Sequence, residues 1–149
     1  MLVSQRFLRV CNQCKAFCCT LLIPPVTEKE KHNILKAGFK NHFIKIRDDM
    51  YTIKSRDNGN CFYLKEDYSC GIHSVKPALC RVWPIIPRYH NNKRGCIVIK
   101  CPLYPLISKT GLKQTKKEAE RIPLPIVQHL WNISTAMKER YKRFEYEEI

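Results

Sequence analysis

Nine cysteines in a chain of 149 residues dominate the chemistry this sequence can perform. Cys11 and Cys14 form a C-x2-C pair, the spacing at which two thiolates reach one metal ion from a tight turn, and Cys18 and Cys19 follow after three residues. The other five, Cys61, Cys70, Cys80, Cys96 and Cys101, lie far along the chain. Thiolates crowded together repel one another unless a cation lies between them, so a metal is their natural partner. All-thiolate sets suit Zn²⁺ and iron–sulfur clusters alike, whereas Mg²⁺ and Ca²⁺ prefer oxygen. The competing use of cysteine is the disulfide. Met1 to Val10 lacks an apolar stretch followed by a small-residue cleavage site, so the sequence points to the cytoplasm, where disulfides seldom persist. Nine is odd, so at least one thiol is left over in any scheme of pairs or four-ligand sites. Cys18 and Cys19 are adjacent and their side chains diverge, so one of them serves a second metal or stays a non-ligand.

Two further side chains belong to this constellation. His73 lies three residues after Cys70 and seven before Cys80, placed to ligate or to support a site; the competing reading is a loop histidine. Arg81 follows Cys80 and offsets thiolate charge. The net charge of +14 attracts polyanions, and Lys109, Lys113, Lys116, Lys117 and Arg121 form the basic run. Glu118 and Glu120 dilute it, so it reads first as a solvated face, with weak, salt-sensitive nucleic-acid contacts or an acidic protein partner as the alternatives. There is no Walker loop, dinucleotide fingerprint or G-x-S-x-G elbow.

The elements that must position these residues are legible in part. Thr27-x-x-Glu30 is a capping box and Gly38 a stop, which predicts a helix over Glu28–Ala37. Phe43–Lys54 reads as a hairpin, and Asn58-Gly59-Asn60 as a turn before a short strand at Cys61–Leu64. Ser74 caps an expected helix from Val75 to Val82, which Pro84 ends. Pro84–Tyr89 and Cys96–Cys101 make a second hairpin around Asn91–Gly95, and Cys96 and Cys101 fall on opposite faces of any regular strand that joins them. Cys101 is assigned to the site and Cys96 is the leftover thiol. Ile126, Leu130, Ile133, Met137, Tyr141 and Phe144 mark one face of a long C-terminal helix ending at Tyr146. No apolar run is long enough to span a membrane. The expected fold is a small α+β single domain over 1–149, with short antiparallel strands around a cysteine-ligated metal site in 1–105 and a basic loop and C-terminal helix in 106–149.

In this order of elements the chain resembles the CxxCxxCC type of small cysteine-cluster protein, described as zinc- or iron-chelating. That type opens with C-x-x-C-x-x-C-C and continues with C-x-F/Y-L, C-x-I-Y/H, R-P-x-x-C-R-x-x-P and a late cysteine. Here these are Cys11, Cys14, Cys18 and Cys19, then Cys61-Phe62-Tyr63-Leu64, Cys70-Gly71-Ile72-His73, Pro77, Cys80-Arg81 and Pro84, and finally Cys101. Three residues rather than two separate Cys14 from Cys18, and Lys76 stands where the type has arginine. The resemblance implies metal ligation by Cys11, Cys14, Cys18, Cys19, Cys61, Cys70, Cys80 and Cys101, with Arg81 and His73 beside them. A related cysteine-rich region is found in flagellin lysine N-methylases, where the cysteines look like an iron–sulfur site. Independent zinc knuckles would need two C-x2-C pairs where this chain has one, and its dispersed cysteines fit a cluster buried in the fold, which places iron–sulfur narrowly ahead of zinc. The function implied is a metal-binding protein that supports redox chemistry or protein modification, with a protein partner or substrate. The alternative is a structural-zinc module that binds nucleic acid or an acidic partner through its basic surface.

Overall fold

A computed structural model describes residues 5–13, 15–16, 19, 23–132 and 145–149. It is an α+β structure of short helices and two three-stranded antiparallel sheets, and its packing divides into two compact units, Met1–Pro77 and Ala78–Ile149.

In the first unit α1 spans Gln5–Gln13, β1 Pro25–Thr27, α2 Glu28–Lys36, β2 Phe43–Arg47 and β3 Met50–Ile53, and the sheet order is β1-β3-β2. The α2 start is the expected capping box. Thr27 Oγ1 accepts from Glu30 N–H at 3.2 Å, and Glu30 Oε2 accepts from Thr27 N–H at 2.9 Å. Ala37 caps the other end and Gly38 turns away at φ +93°. The sequence had suggested no strand at β1. Pro25 can open one because a strand's first residue, on a sheet edge, loses little by having no N–H; it pairs with Thr52. Val26, Ile34, Ile53, Tyr63 and Ile72 form the core of this unit, with Cys61 and Cys70 packed against it.

The expected helix over Val75–Val82 is two pieces, a 3₁₀ turn at His73–Val75 and α3 at Ala78–Arg81. Lys76 between them is extended (φ −61°, ψ 148°), because the ring of the following proline disfavours the helical conformation in the residue before it. The strand expected at Cys61–Leu64 is likewise absent; this stretch makes isolated bridges, Ser55 to Cys61 and Leu64 to Cys70.

In the second unit β4 (Ile85–His90), β5 (Lys93–Ile99) and β6 (Tyr146–Glu148) form a sheet in that order. Asn91 and Asn92, at φ 49° and 60°, make the two-residue turn between β4 and β5, a conformation that asparagine tolerates well. The segment expected to be a basic loop is α4, Lys109–Glu120. Ser108 caps it by accepting from Gly111 N–H at 3.0 Å, and its Lys, Gln, Glu and Ala residues are good helix formers. α5, Leu124–Asn132, buries Ile126, Val127 and Leu130, and Trp131 Nε1–H donates to Pro87 O at 2.7 Å. Ile126 and Leu130 thus lie on the buried face that the spacing indicated; Ile133, Met137, Tyr141 and Phe144 lie outside the described residues. The predicted helix does not reach Tyr146, which is a strand residue opposite Ile99. The otherwise unpaired edge of β5 offers it backbone partners, and ion pairs of Glu148 with Arg88 and of Glu147 with Lys100 (3.3 Å) flank the strand. Among the described residues no helix is long and apolar enough to cross a membrane.

Candidate metal centre

The first unit builds two similar cysteine turns. Cys61 opens one that is closed by Leu64 N–H donating to Cys61 O at 3.0 Å; Cys70 opens the other, closed by His73 N–H donating to Cys70 O at 3.3 Å. In each, backbone amides two or three residues on act on the sulfur and favour its ionised form: those of Tyr63 and Leu64 at Cys61, that of Ile72 at Cys70. The turns are laced together, since Gly71 N–H donates to Tyr63 O at 2.7 Å and Lys65 N–H to Ser69 O at 2.9 Å. Gly71 is required by proximity: a Cβ there would lie 2.8 Å from Tyr63 O.

Long-range hydrogen bonds bring the N-terminal cysteine segment to these turns. Asn12 Nδ2 donates to Asp67 O at 3.0 Å, in the loop between the two turns, and Cys61 N–H donates to Cys19 O at 3.1 Å. Between them the chain reverses through Lys15 and Ala16, both in the left-handed region at φ 55° and 47°, with Ala16 buried. Such a pair of non-glycine residues costs free energy that the surrounding contacts must offset. Cys11, Cys19, Cys61 and Cys70 are therefore assembled on one unit. Cys14 and Cys18 belong to the same segment but lie outside the described residues.

Cys19, Cys61 and Cys70 also act on one another electrostatically. The Cys61 thiol is raised from 9.0 to about 11, chiefly by burial, with the amides pulling against the rise and Cys19 and Cys70 adding to it. Cys70 is raised chiefly by burial as well, with Cys19 adding to it. Cys61 and Cys70 are thus half-buried thiols that resist ionisation, each with backbone amides beside it that favour a thiolate. Bound metal would supply the positive charge that burial and mutual repulsion otherwise demand. The donor chemistry fits zinc or iron. Among the described residues no group of three or more His, Cys, Asp or Glu side chains is already arranged to hold a metal ion.

His73 stands immediately after the Cys70 turn. Burial, with Lys76 adding to it, holds its imidazole below the ordinary range. The second unit carries Cys80, Cys96 and Cys101. Cys80 is half-buried on α3, and neighbouring Arg81 reaches Glu118 of α4 at 3.5 Å, a partner that the sequence had not suggested. Cys101 is buried just past β5 and opens a turn of its own, with Tyr104 N–H donating to Cys101 O at 2.9 Å. β5 ends at Ile99, so no regular strand joins Cys96 to Cys101 and the alternation argument does not apply between them. Cys96 is buried in β5, where burial and then Glu120 raise its thiol. All seven described cysteines are thiols, none in a disulfide.

Sequence reasoning missed the amide donors, the tight approach at Gly71 and the two long-range pins. The available signal was the repeated four-residue spacing, Cys61-Phe62-Tyr63-Leu64 and Cys70-Gly71-Ile72-His73.

Neither the curated proteins nor the solved structures contain a match to this chain. The sequence profile of one family does match, over residues 10–120, from just before Cys11 to the end of α4, and so includes all nine cysteines. The chain belongs to the CxxCxxCC family, described as "Putative zinc- or iron-chelating domain".

Proposed function

We propose that the protein holds an iron–sulfur cluster through its clustered cysteines and that this centre supports redox chemistry or the modification of a protein partner. The observation that carries the reading is the pair of amide-lined cysteine turns at Cys61 and Cys70, held against Cys19 and placed at the edge of an apolar core. Amide donors and low solvent access are the features that tune a thiolate-bound cluster. Cys11, Cys14, Cys18, Cys19, Cys61, Cys70, Cys80 and Cys101 are the proposed ligand pool, with Arg81 and His73 beside it. A thiol-rich chain of this kind suits the reducing cytoplasm.

The visible spectrum of protein purified without oxygen tests the metal. Iron bound to thiolates absorbs broadly through sulfur-to-iron charge transfer, which closed-shell zinc lacks. A colourless protein with stoichiometric zinc would replace the iron–sulfur reading with a structural-zinc one.

Single substitutions test the partition of cysteines. Cys80→Ser is expected to lower both metal content and melting temperature. Cys96→Ser, at a buried position in β5 beside Glu120, is expected to leave the metal-to-protein ratio unchanged. The opposite pattern in metal analysis would overturn the assignment of Cys80 as ligand and Cys96 as bystander.

A further inference from the structure

The basic run in the sequence is partly neutralised on α4, where Lys116 lies 3.8 Å from Glu120 and Arg81 meets Glu118. A different group of cations comes together in the first unit. Beyond β3 the chain continues in register: Lys54 N–H donates to His42 O at 2.6 Å, and Lys54 O accepts from Phe62 N–H at 3.2 Å. Residue 54 thereby holds the backbones of His42 and Phe62 on its two sides, and their rings stack at 4.2 Å with 22° between planes. Lys54 Nζ lies 5.8 Å and the Arg56 guanidinium 5.3 Å from the Phe62 ring centre, and Arg56 Nη2 also donates to Phe62 O at 3.1 Å. Burial, and then the cations Lys40, Lys54 and Arg56, hold the His42 imidazole below the ordinary 6.5. At neutral pH the ring is thus an uncharged stacking surface. Lys40, Lys54 and Arg56 are exposed, and both rings are partly so.

We propose that this aromatic pair, with Lys40, Lys54 and Arg56 around it, binds single-stranded nucleic acid, the cations contacting phosphates and the rings stacking on a base. Two halves of the arrangement argue for this ligand together. Cations alone would fit any polyanion; the partly exposed ring pair, which packs inward where His42 meets Tyr63 edge-on at 5.3 Å, adds a flat surface that suits a ligand with π-faces, and every nucleobase has one. An acidic peptide would engage the three cations and leave the rings without a role. An open surface depression lined by Arg56, Phe62, Lys65, Glu66 and Asp67 adjoins the stack. Its charges balance, Arg56 and Lys65 against Glu66 and Asp67, so the excess positive charge that draws the strand's phosphates lies toward Lys40 and Lys54.

The test uses metal-loaded full-length protein and a fluorescein-labelled oligouridylate of about ten nucleotides, within the usual site size of such surfaces. An abasic strand of equal charge and polyglutamate serve as competitors. Oligouridylate is expected to bind at low salt about tenfold more tightly than the abasic strand, and His42→Ala to remove that difference. Lys54→Gln with Arg56→Gln is expected to reduce the slope of log affinity against log salt by about 1.4, roughly 0.7 for each single-strand phosphate no longer neutralised. Each variant is compared at equal metal content and melting temperature. The proposal fails if no binding occurs at low salt, or if polyglutamate or the abasic strand competes as well as oligouridylate. It fails also if Lys113→Gln with Lys117→Gln on α4 abolishes binding that the Lys54/Arg56 pair leaves intact.

Discussion

Stripping the metal from reduced full-length protein is expected to lower its melting temperature by roughly 10–15 °C. A ligand held a thousandfold more tightly than its free concentration requires contributes about 4 kcal/mol, and each kcal/mol moves the midpoint of a chain of this size by about 3 °C. The physical origin lies in the first unit. Cys61 and Cys70 are packed against the Val26–Ile34–Ile53–Tyr63–Ile72 core, and each sulfur is aimed at by backbone amides. Without a cation these sulfurs stay protonated, and the amides lose the charged acceptor they are placed to serve. Cys61→Ser and Cys70→Ser should each reproduce much of the loss, because a hydroxyl is a poor ligand for zinc or iron. The measurement is differential scanning calorimetry beside metal analysis. An unchanged melting curve for verified metal-free, reduced protein would remove the metal-centred reading altogether.

The second large effect is expected at a residue with no chemistry of its own. Gly71→Ala places a methyl group 2.8 Å from Tyr63 O, closer than such carbons approach. The atom it meets is backbone, and that same carbonyl accepts Gly71 N–H at 2.7 Å, so neither side can yield without opening the lacing between the two cysteine turns. A cost of about 3 kcal/mol is expected, at the upper end for overpacking, together with reduced metal content. Gly95→Ala is the control, since a Cβ there meets nothing within 4 Å. Equal metal content and stability in Gly71→Ala and Gly95→Ala would show that the turns do not depend on this approach.

Features that depend on neighbours in sequence were legible in it. The Thr27–Glu30 capping box, the stop at Gly38, the hairpin turn around Asp48-Asp49 and the β4–β5 hairpin are local, each written within about fifteen residues. Of two errors, one has a local cause and the other a distant one. The proline effect on Lys76 outweighed the helical signal of Val75–Val82, and Tyr146 followed the open edge of β5 rather than the periodicity of Ile126–Phe144. On both occasions a backbone constraint overrode a side-chain pattern.

By itself the sequence determined a surplus of cysteines, their order along the chain, and an α+β fold of short elements. Only the tertiary structure decided which of them meet. Cys19 reaches Cys61 through a hydrogen bond across 42 residues, Asn12 reaches Asp67 across 55, and His42 comes to Phe62 through the register of the strand between them. Residue type and spacing encode a side chain's own preferences, but the closing of a long loop depends on the packing of everything between its ends. The amide donors at Cys61 and Cys70 and the cation-ringed aromatic pair therefore became visible only once the sheet register and the two cysteine turns were in place.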